Sequence, residues 1–452
     1  MEPLHRLTAA GAARRIQAGR LSPVDLVEAL LERIERWEPT LKAWVTVDKE
    51  GALAAARRLE HEAKGGWFRG PLHGVPVGVK DIFYTLGLRT TACSPLLAEF
   101  VPSYDSTAVA RLKDAGAIIL GKTVTTEFAT TDPPPTRNPW DQSRTPGGSS
   151  SGSAVSVAVG QCPVALGSQT GGSTLRPAAY NGIVALKPTY GRISKYGVIP
   201  CAWTLDTVGI MARSVEDTAL LLRVMAGHDP KDPTSSSRPV PDYVSTLADQ
   251  GPPPRLGVLR EFFWERSAPE VRRRTDEAVE RLRRAGASVQ EVALPPSFPL
   301  VHPSHMMVMY TEVAAFHQEW FPAQADAYGP KLRSLIERGL LFTGVEYLQA
   351  QRHRRRFRRE MEGLVASADA LLTPTTPSAA PTDLTTTGDP VFQSCWTYAG
   401  VPTITLPIGL DGEGMPLGLQ LIGPLFGEER LLRAARWCEG ALGPAPAPPG
   451  YE

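Results

Sequence analysis

The sequence predicts a layered α/β/α fold, a central mixed β-sheet flanked by helices, and three observations predict it. A helical periodicity, a glycine and a short apolar run follow one another in that order early in the chain. The same order returns later. Finally, 42% of the 452 residues are apolar, enough for the sizeable core of one large domain or two smaller ones.

Ser22 before Pro23 reads as an N-cap with proline at the first helical position, and Asp25 falls in the favourable first turn. Leu26, Val27, Leu30, Leu31 and Ile34 repeat at helical spacing, and Pro39 is expected to end that helix. Val75 to Lys80 reads as a strand. Asp105 or Ser106 caps a helix with Val109 and Leu112 on one face; Gly116 ends it, and Ala117 to Leu120 follows as a buried strand. Pro230 to Pro254, rich in proline, serine and aspartate, reads as a surface crossing. Beyond it, Pro269 to Ala285 is helical, Gly286 stops it, and Ala287 to Leu294 returns as a strand. Strands and turns resume at Ser367, and a helix near Leu431 to Leu442 precedes a proline-rich tail expected to be flexible. The resulting division is 1–230, 231–366, 367–442 and 443–452.

Charge narrows the function classes. With 48 basic and 47 acidic side chains, global charge gives no reason to expect nucleic acid or an anionic membrane. Five cysteines with no C-x-x-C pair read as reduced thiols of a cytoplasmic protein. Met1 to Arg20 lacks the apolar core of a secretory signal. Ala154 to Gly167 is too short to span a bilayer. His302 and His305 sit three apart but have no evident third ligand, so no metal is expected there.

The segment that carries chemistry is Gly147-Gly148-Ser149-Ser150-Ser151-Gly152, followed after an apolar run by Gly171-Gly172-Ser173. Glycine belongs where backbone must take unusual angles or approach a ligand, and a serine directly after two glycines has an accessible hydroxyl. Backbone N–H groups there can converge on an anion. The alternatives are a phosphate loop, which lacks its lysine, or simple structural loops. A hydroxyl nucleophile needs a base, and no histidine is near; a lysine serves if burial keeps it neutral. Lys80, at the end of an apolar stretch, is a candidate, although by itself it reads better as a surface lysine paired with Asp81.

Pro71-Leu72-His73-Gly74-Val75-Pro76-Val77-Gly78-Val79-Lys80-Asp81 resembles the lysine motif of the amidase-signature family, and Gly147 to Ser173 resembles its glycine- and serine-rich sequence. Asn181 to Arg192, Asp206-Thr207-Val208-Gly209, Leu372 to Thr375, Ala399 to Pro402 and Pro416 to Gly423 are similar to that family as well. The resemblance implies a serine hydrolase of C–N bonds. It assigns the nucleophile to Ser173, the bridging serine to Ser149 after a cis peptide bond, and the general base to Lys80. The N–H groups of Thr170, Gly171, Gly172 and Ser173 would form the oxyanion hole. It implies no cofactor and no metal, and makes 231–366 a variable, substrate-shaping insert on the core.

Two departures matter. Many family members have aspartate where this chain has Gln169, and arginine two residues past the nucleophile where Arg176 stands three past it. That pattern resembles a branch of free-standing amidases, some of which hold a substrate carboxylate with the arginine; the alternative for Arg176 is a structural role. The expected partner is then a small amide or carbamate, with neither nucleic acid nor membrane, and the chain a monomer or homodimer. The competing assignment is the glutaminase subunit of a tRNA-dependent amidotransferase. The run from Arg352 to Arg359 reads as a solvated helix face rather than an RNA contact. Met306, Met307, Met309, Tyr310, Phe316, Trp320 and Phe321 form either core or the wall of an apolar pocket. In the second case Met306 and Tyr310 touch substrate, and aryl amides, anilides, urethanes and esters are the expected class.

Overall fold

The computed structural model describes residues 3–247 and 251–451. Met1, Glu2 and Glu452, and residues 248–250 of the expected crossing, lie outside them. Eleven strands among the described residues form one sheet: β1 (Trp44–Val47), β2 (Pro76–Lys80), β3 (Ile118–Thr123), β4 (Val164–Gln169), β5 (Val184–Lys187), β6 (Thr207–Ala212), β7 (Arg255–Val258), β8 (Ser288–Glu291), β9 (Ala370–Pro374), β10 (Thr403–Leu410) and β11 (Pro416–Ile422). Their order is β1-β3-β2-β4-β6-β5-β10-β11-β9-β7-β8. The pairs β3–β2, β2–β4, β9–β7 and β7–β8 are parallel and the others antiparallel. The sheet is mixed and helices cover both faces, as the sequence predicts.

Two-sided cover explains why the central strands read as unbroken apolar runs rather than alternating ones. Val77, Val79, Leu166, Val208 and Ile210 point into one apolar layer. Ile118, Leu120, Ala165, Ala185 and Met211 point into the other. Successive residues alternate between the layers, and each layer is closed by helices.

The helix Pro23–Leu41 starts as expected, with Ser22 Oγ accepting the N–H groups of Val24 and Asp25 at 3.0 and 3.3 Å. It does not end at Pro39. The proline sits within the last turn, where it forfeits one main-chain bond. Leu41 closes the helix and Lys42 turns left-handed, while the Glu38 carboxylate accepts the N–H groups of Ala43 and Trp44, both at 3.0 Å.

Region 231–366 contributes β7 and β8 to the sheet edge, and within it the helix Val301–His317 packs on the helices Pro330–Gly339 and Gly344–Ala366. The last of these carries the arginine run. Arg352, Arg355, Arg356 and Arg359 are exposed, but Arg354 is buried and donates to the carbonyls of Tyr398 and Thr204, both at 2.7 Å. In the tail, the Tyr451 ring lies tilted against Trp37, ring centroids 4.6 Å apart, and its carbonyl accepts from Arg33. No helix among the described residues is long and apolar enough to cross a membrane.

Candidate active site

Parallel neighbours β2 and β4 bring the candidate groups together. Lys80 is the last residue of β2, and β4 ends at Gln169, from which a tight loop runs through Ser173 into the helix Leu175–Asn181. Ser149 lies just before the helix Ser151–Ala158. The two glycine-serine loops are stitched through Ser150. Its N–H donates to the Ser173 carbonyl at 3.2 Å, and its hydroxyl accepts the Ser168 N–H at 3.2 Å. Gly147 turns at φ +77°, which its own lack of a Cβ allows, and the Gly148–Ser149 peptide bond is cis.

Lys80 has no solvent exposure, and its Nζ donates to Ser149 Oγ at 2.7 Å and to Ser168 Oγ at 2.8 Å. Burial pushes its pKa down to about 7, against a smaller upward pull from Cys201, Asp206 and Cys93. It therefore does not pair with Asp81, which faces Lys122 at 3.6 Å and accepts from Thr91. A lysine that is half neutral near pH 7 with one N–H placed on Ser168 can turn its lone pair toward Ser149. Ser173 is slightly accessible, and its hydroxyl makes no hydrogen bond among the described residues.

The loop carrying the candidate oxyanion donors is clamped from several sides. Thr170 Oγ1 donates to Asp206 Oδ1 at 2.5 Å, and Asp206 Oδ2 accepts the N–H groups of Cys201 and Ala202 at 2.8 and 3.0 Å. Burial raises the Asp206 pKa. The Thr170 carbonyl accepts from His305 Nε2 at 2.8 Å, and burial lowers that imidazole to about 4, so it is neutral. Thr397 Oγ1 donates to the Gly171 carbonyl at 2.8 Å. A Cβ at Gly172 would run into Gln393, whereas one at Gly171 would meet only ordinary contacts at 3.6 and 3.8 Å.

Gln169 has a physical reason of its own. Its Oε1 accepts the N–H groups of Thr174 and Leu175, both at 3.0 Å, while Nε2 donates to Thr397 at 3.0 Å. An aspartate would lack that donor. Arg176 is buried, and its Nη2 donates to the Gly148 carbonyl at 2.7 Å and to Thr387 at 3.0 Å. Its Nε and Nη1 have no partner among the described residues.

Met306 and Tyr310 lie elsewhere than expected. Both are half-buried on the helix Val301–His317, with Tyr310 beneath the Arg338 guanidinium, and neither lines the aromatic cavity beside the site. Phe316 and Trp320, further along the same run, do line it. Sequence reasoning missed Ser168, Asp206, His305 and Thr397 as members of the site. Ser168 and Asp206 had a signal, their places in family-like motifs. No group of histidine, cysteine and carboxylate side chains able to hold a metal occurs among the described residues.

A sequence model of the amidase family matches residues 25–432, and the chain belongs to this family of amidase-signature hydrolases acting on C–N bonds. It is 40% identical over 469 residues to the A subunit of the glutamyl-tRNA(Gln) amidotransferase of Roseiflexus castenholzii, covering 96% of this chain and 95% of that one. Among solved structures, it superposes on native peptide amidase from Stenotrophomonas maltophilia with a TM-score of 0.87 and 33% identity, covering 99% of each chain. It superposes with a TM-score of 0.91 and 32% identity on a chain described with a vestigial protein complex and the origins of an s-triazine catabolic enzyme, covering 97% of this chain and 99% of that one.

The relatives overturn one expectation. A monomer or homodimer with a small-molecule substrate as its sole partner and no nucleic acid does not fit a chain this similar to one component of an amidotransferase named for glutamyl-tRNA(Gln). Balanced global charge was a poor guide, because the net charge of one chain does not exclude contacts with other macromolecules.

Proposed function

We propose that the chain hydrolyses a carboxamide through an acyl-enzyme on Ser173, and that it does so as the glutaminase component of a tRNA-dependent amidotransferase. One observation carries the chemistry: the buried Lys80 amine, near neutrality, 2.7 Å from Ser149. In this mechanism Ser149 passes the Ser173 proton to Lys80 as Ser173 attacks the carbonyl carbon. The N–H groups of Thr170, Gly171, Gly172 and Ser173 receive the developing oxyanion. The C–N bond then breaks as Lys80 returns the proton, through Ser149, to the leaving nitrogen, and water releases the acid by the same relay. The match to the amidotransferase component over nearly the whole chain supports glutamine as the amide. Arg176, with two unpaired guanidinium nitrogens, is proposed to meet a substrate carboxylate, which glutamine has.

A second reading, a hydrolase of larger amides, is favoured by the aromatic cavity beside the site and by Gln169 and Arg176 standing where many relatives have other residues. Ammonia release from glutamine decides between them, measured with the chain alone and then with the remaining components of such an amidotransferase and glutamyl-tRNA, beside Ser173→Ala as blank. Stimulation by those additions supports the first reading. Turnover of anilides and carbamates by the chain alone, with none of glutamine under any condition, supports the second. Absence of any acyl adduct on Ser173 by mass spectrometry would overturn the chemistry common to them.

A further inference from the structure

Three of the candidate oxyanion donors sit on consecutive peptide units. In each unit the N–H and the carbonyl of the preceding residue share one rigid plane and point opposite ways, so whatever holds the carbonyl also aims the N–H. The Gly171 N–H shares its plane with the Thr170 carbonyl, the Gly172 N–H with the Gly171 carbonyl, and the Ser173 N–H with the Gly172 carbonyl. All three carbonyls are held. His305 Nε2 donates to the first at 2.8 Å, Thr397 Oγ1 to the second at 2.8 Å, and the Arg176 N–H to the third at 2.9 Å. Among the described residues, none of the three N–H groups donates to a protein acceptor.

The anchors come from different parts of the chain. Arg176 belongs to the helix that follows the loop, and Thr397 accepts from Gln169 at 3.0 Å, which leaves its own proton for the Gly171 carbonyl. His305 alone of the three comes from region 231–366, on the helix Val301–His317. Gly171 depends most on such a hold. It has room for a Cβ and no positive φ, so neither crowding nor backbone angle accounts for glycine there. What the missing Cβ leaves is freedom for the adjoining peptide planes to rotate, and a rotated plane turns its N–H away from the developing charge. His305 is suited to prevent that. It is buried, its ring edge-on to Tyr398 with centroids 6.2 Å apart. A carbonyl only accepts, so Nε2 carries the proton. Burial, with His302 and Arg354 nearby, lowers its pKa to about 4, and the imidazole stays neutral where Lys80 titrates.

We propose that His305 is a positioning residue for acyl transfer: it fixes the Thr170–Gly171 peptide plane so that the Gly171 N–H meets the oxyanion. The proposal rests on the acyl-enzyme chemistry but not on which amide is the natural substrate. Phe316, in the cavity wall, lies about three turns further along the same helix. That wall can therefore change while the imidazole keeps its place.

Hydrolysis of p-nitrophenyl acetate by the full chain reports on the oxyanion site whatever the natural amide. In His305→Leu kcat falls about ten- to a hundredfold while KM stays within about twofold. His305→Gln, whose amide brings an N–H donor near the Nε2 position, stays within about fivefold of the parent. His305→Asn carries the same amide one carbon short and falls with the leucine variant. Phenylboronic acid, which binds Ser173 as a tetrahedral adduct with an anionic oxygen, loses affinity in His305→Leu by the same factor as kcat/KM. His302→Leu, on the same helix but in contact with Ser394 rather than the loop, is the packing control and keeps the parent kcat, with Tm followed for every variant. Equal losses in the Leu, Gln and Asn variants, undiminished kcat in Leu and Asn, unchanged boronate affinity, or a raised KM at the parent kcat overturn the positioning role. Should His305→Leu fail to fold, the Gln and Asn variants decide by the same measures. Absence of an acetyl group on Ser173 of the parent after rapid acid quench would instead overturn the chemistry on which the proposal rests.

Discussion

Lys80 Nζ stands 2.7 Å from Ser149 Oγ in a pocket closed to solvent, and its pKa is lowered to about 7. Below that value the amine is protonated and has no lone pair to accept the serine proton; above it the base is ready. The kcat/KM profile is therefore expected to rise through pH 7 with one titration and to level off on the alkaline side. A profile flat from pH 5 to 9 contradicts a lysine base.

Replacing Lys80 by methionine separates catalysis from stability. Activity falls by about a thousandfold or more, as expected on losing a general base. Stability moves the other way. The folded lysine titrates near 7 against 10.5 for the ordinary side chain, so the unfolded chain binds more protons between those values. The cost of the buried amine is complete below 7 and vanishes above 10.5. Lys80→Met accordingly raises Tm more at pH 6 than at pH 10, measured by calorimetry.

Asp206 acts through Thr170 and through its charge. Asp206→Asn loosens the oxyanion loop, lowering kcat about ten- to a hundredfold. It also removes a group that raises the Lys80 pKa, so the acid limb of the rate profile shifts to lower pH. A structural defect alone reduces the rate without moving that limb.

Arg176→Gln distinguishes substrate contact from scaffolding. If Nε and Nη1 receive a carboxylate, KM for glutamine rises about ten- to a hundredfold while that for acetamide barely changes. Equal losses on both, with a lower Tm, place the arginine with its Gly148 and Thr387 contacts instead.

Local chemistry made much of this legible in the sequence. Ser22 and Pro23 announce a helix, Gly116 closes another, and buried parallel strands such as β2 read as apolar runs. Chemistry alone marked Lys80 and the two serines as candidates, but their grouping came through resemblance, since nothing in residues 69 positions apart says that they meet. Ser168 and Asp206 were illegible as lysine-pocket residues because strand register, not sequence spacing, puts them there. Of the apolar run Met306 to Phe321, only Phe316 and Trp320 line the aromatic cavity, and apolar character along the run does not mark which of its members do. Pro39 misled for a simpler reason, since a proline in a last turn has little helix left to break.

The parallel ladder between β2 and β4 has a consequence for divergence. Adjacent strands are held about 4.8 Å apart by main-chain bonds that no side-chain substitution alters, and Lys80 and the loop that carries Ser173 both hang from these two strands. The aromatic wall hangs largely from elsewhere, from Trp203 and from the end of the helix Val301–His317. Natural drift or deliberate redesign can thus redraw what the enzyme admits while the bond-breaking apparatus stays put, which is one route by which a single scaffold comes to serve unrelated nitrogen compounds.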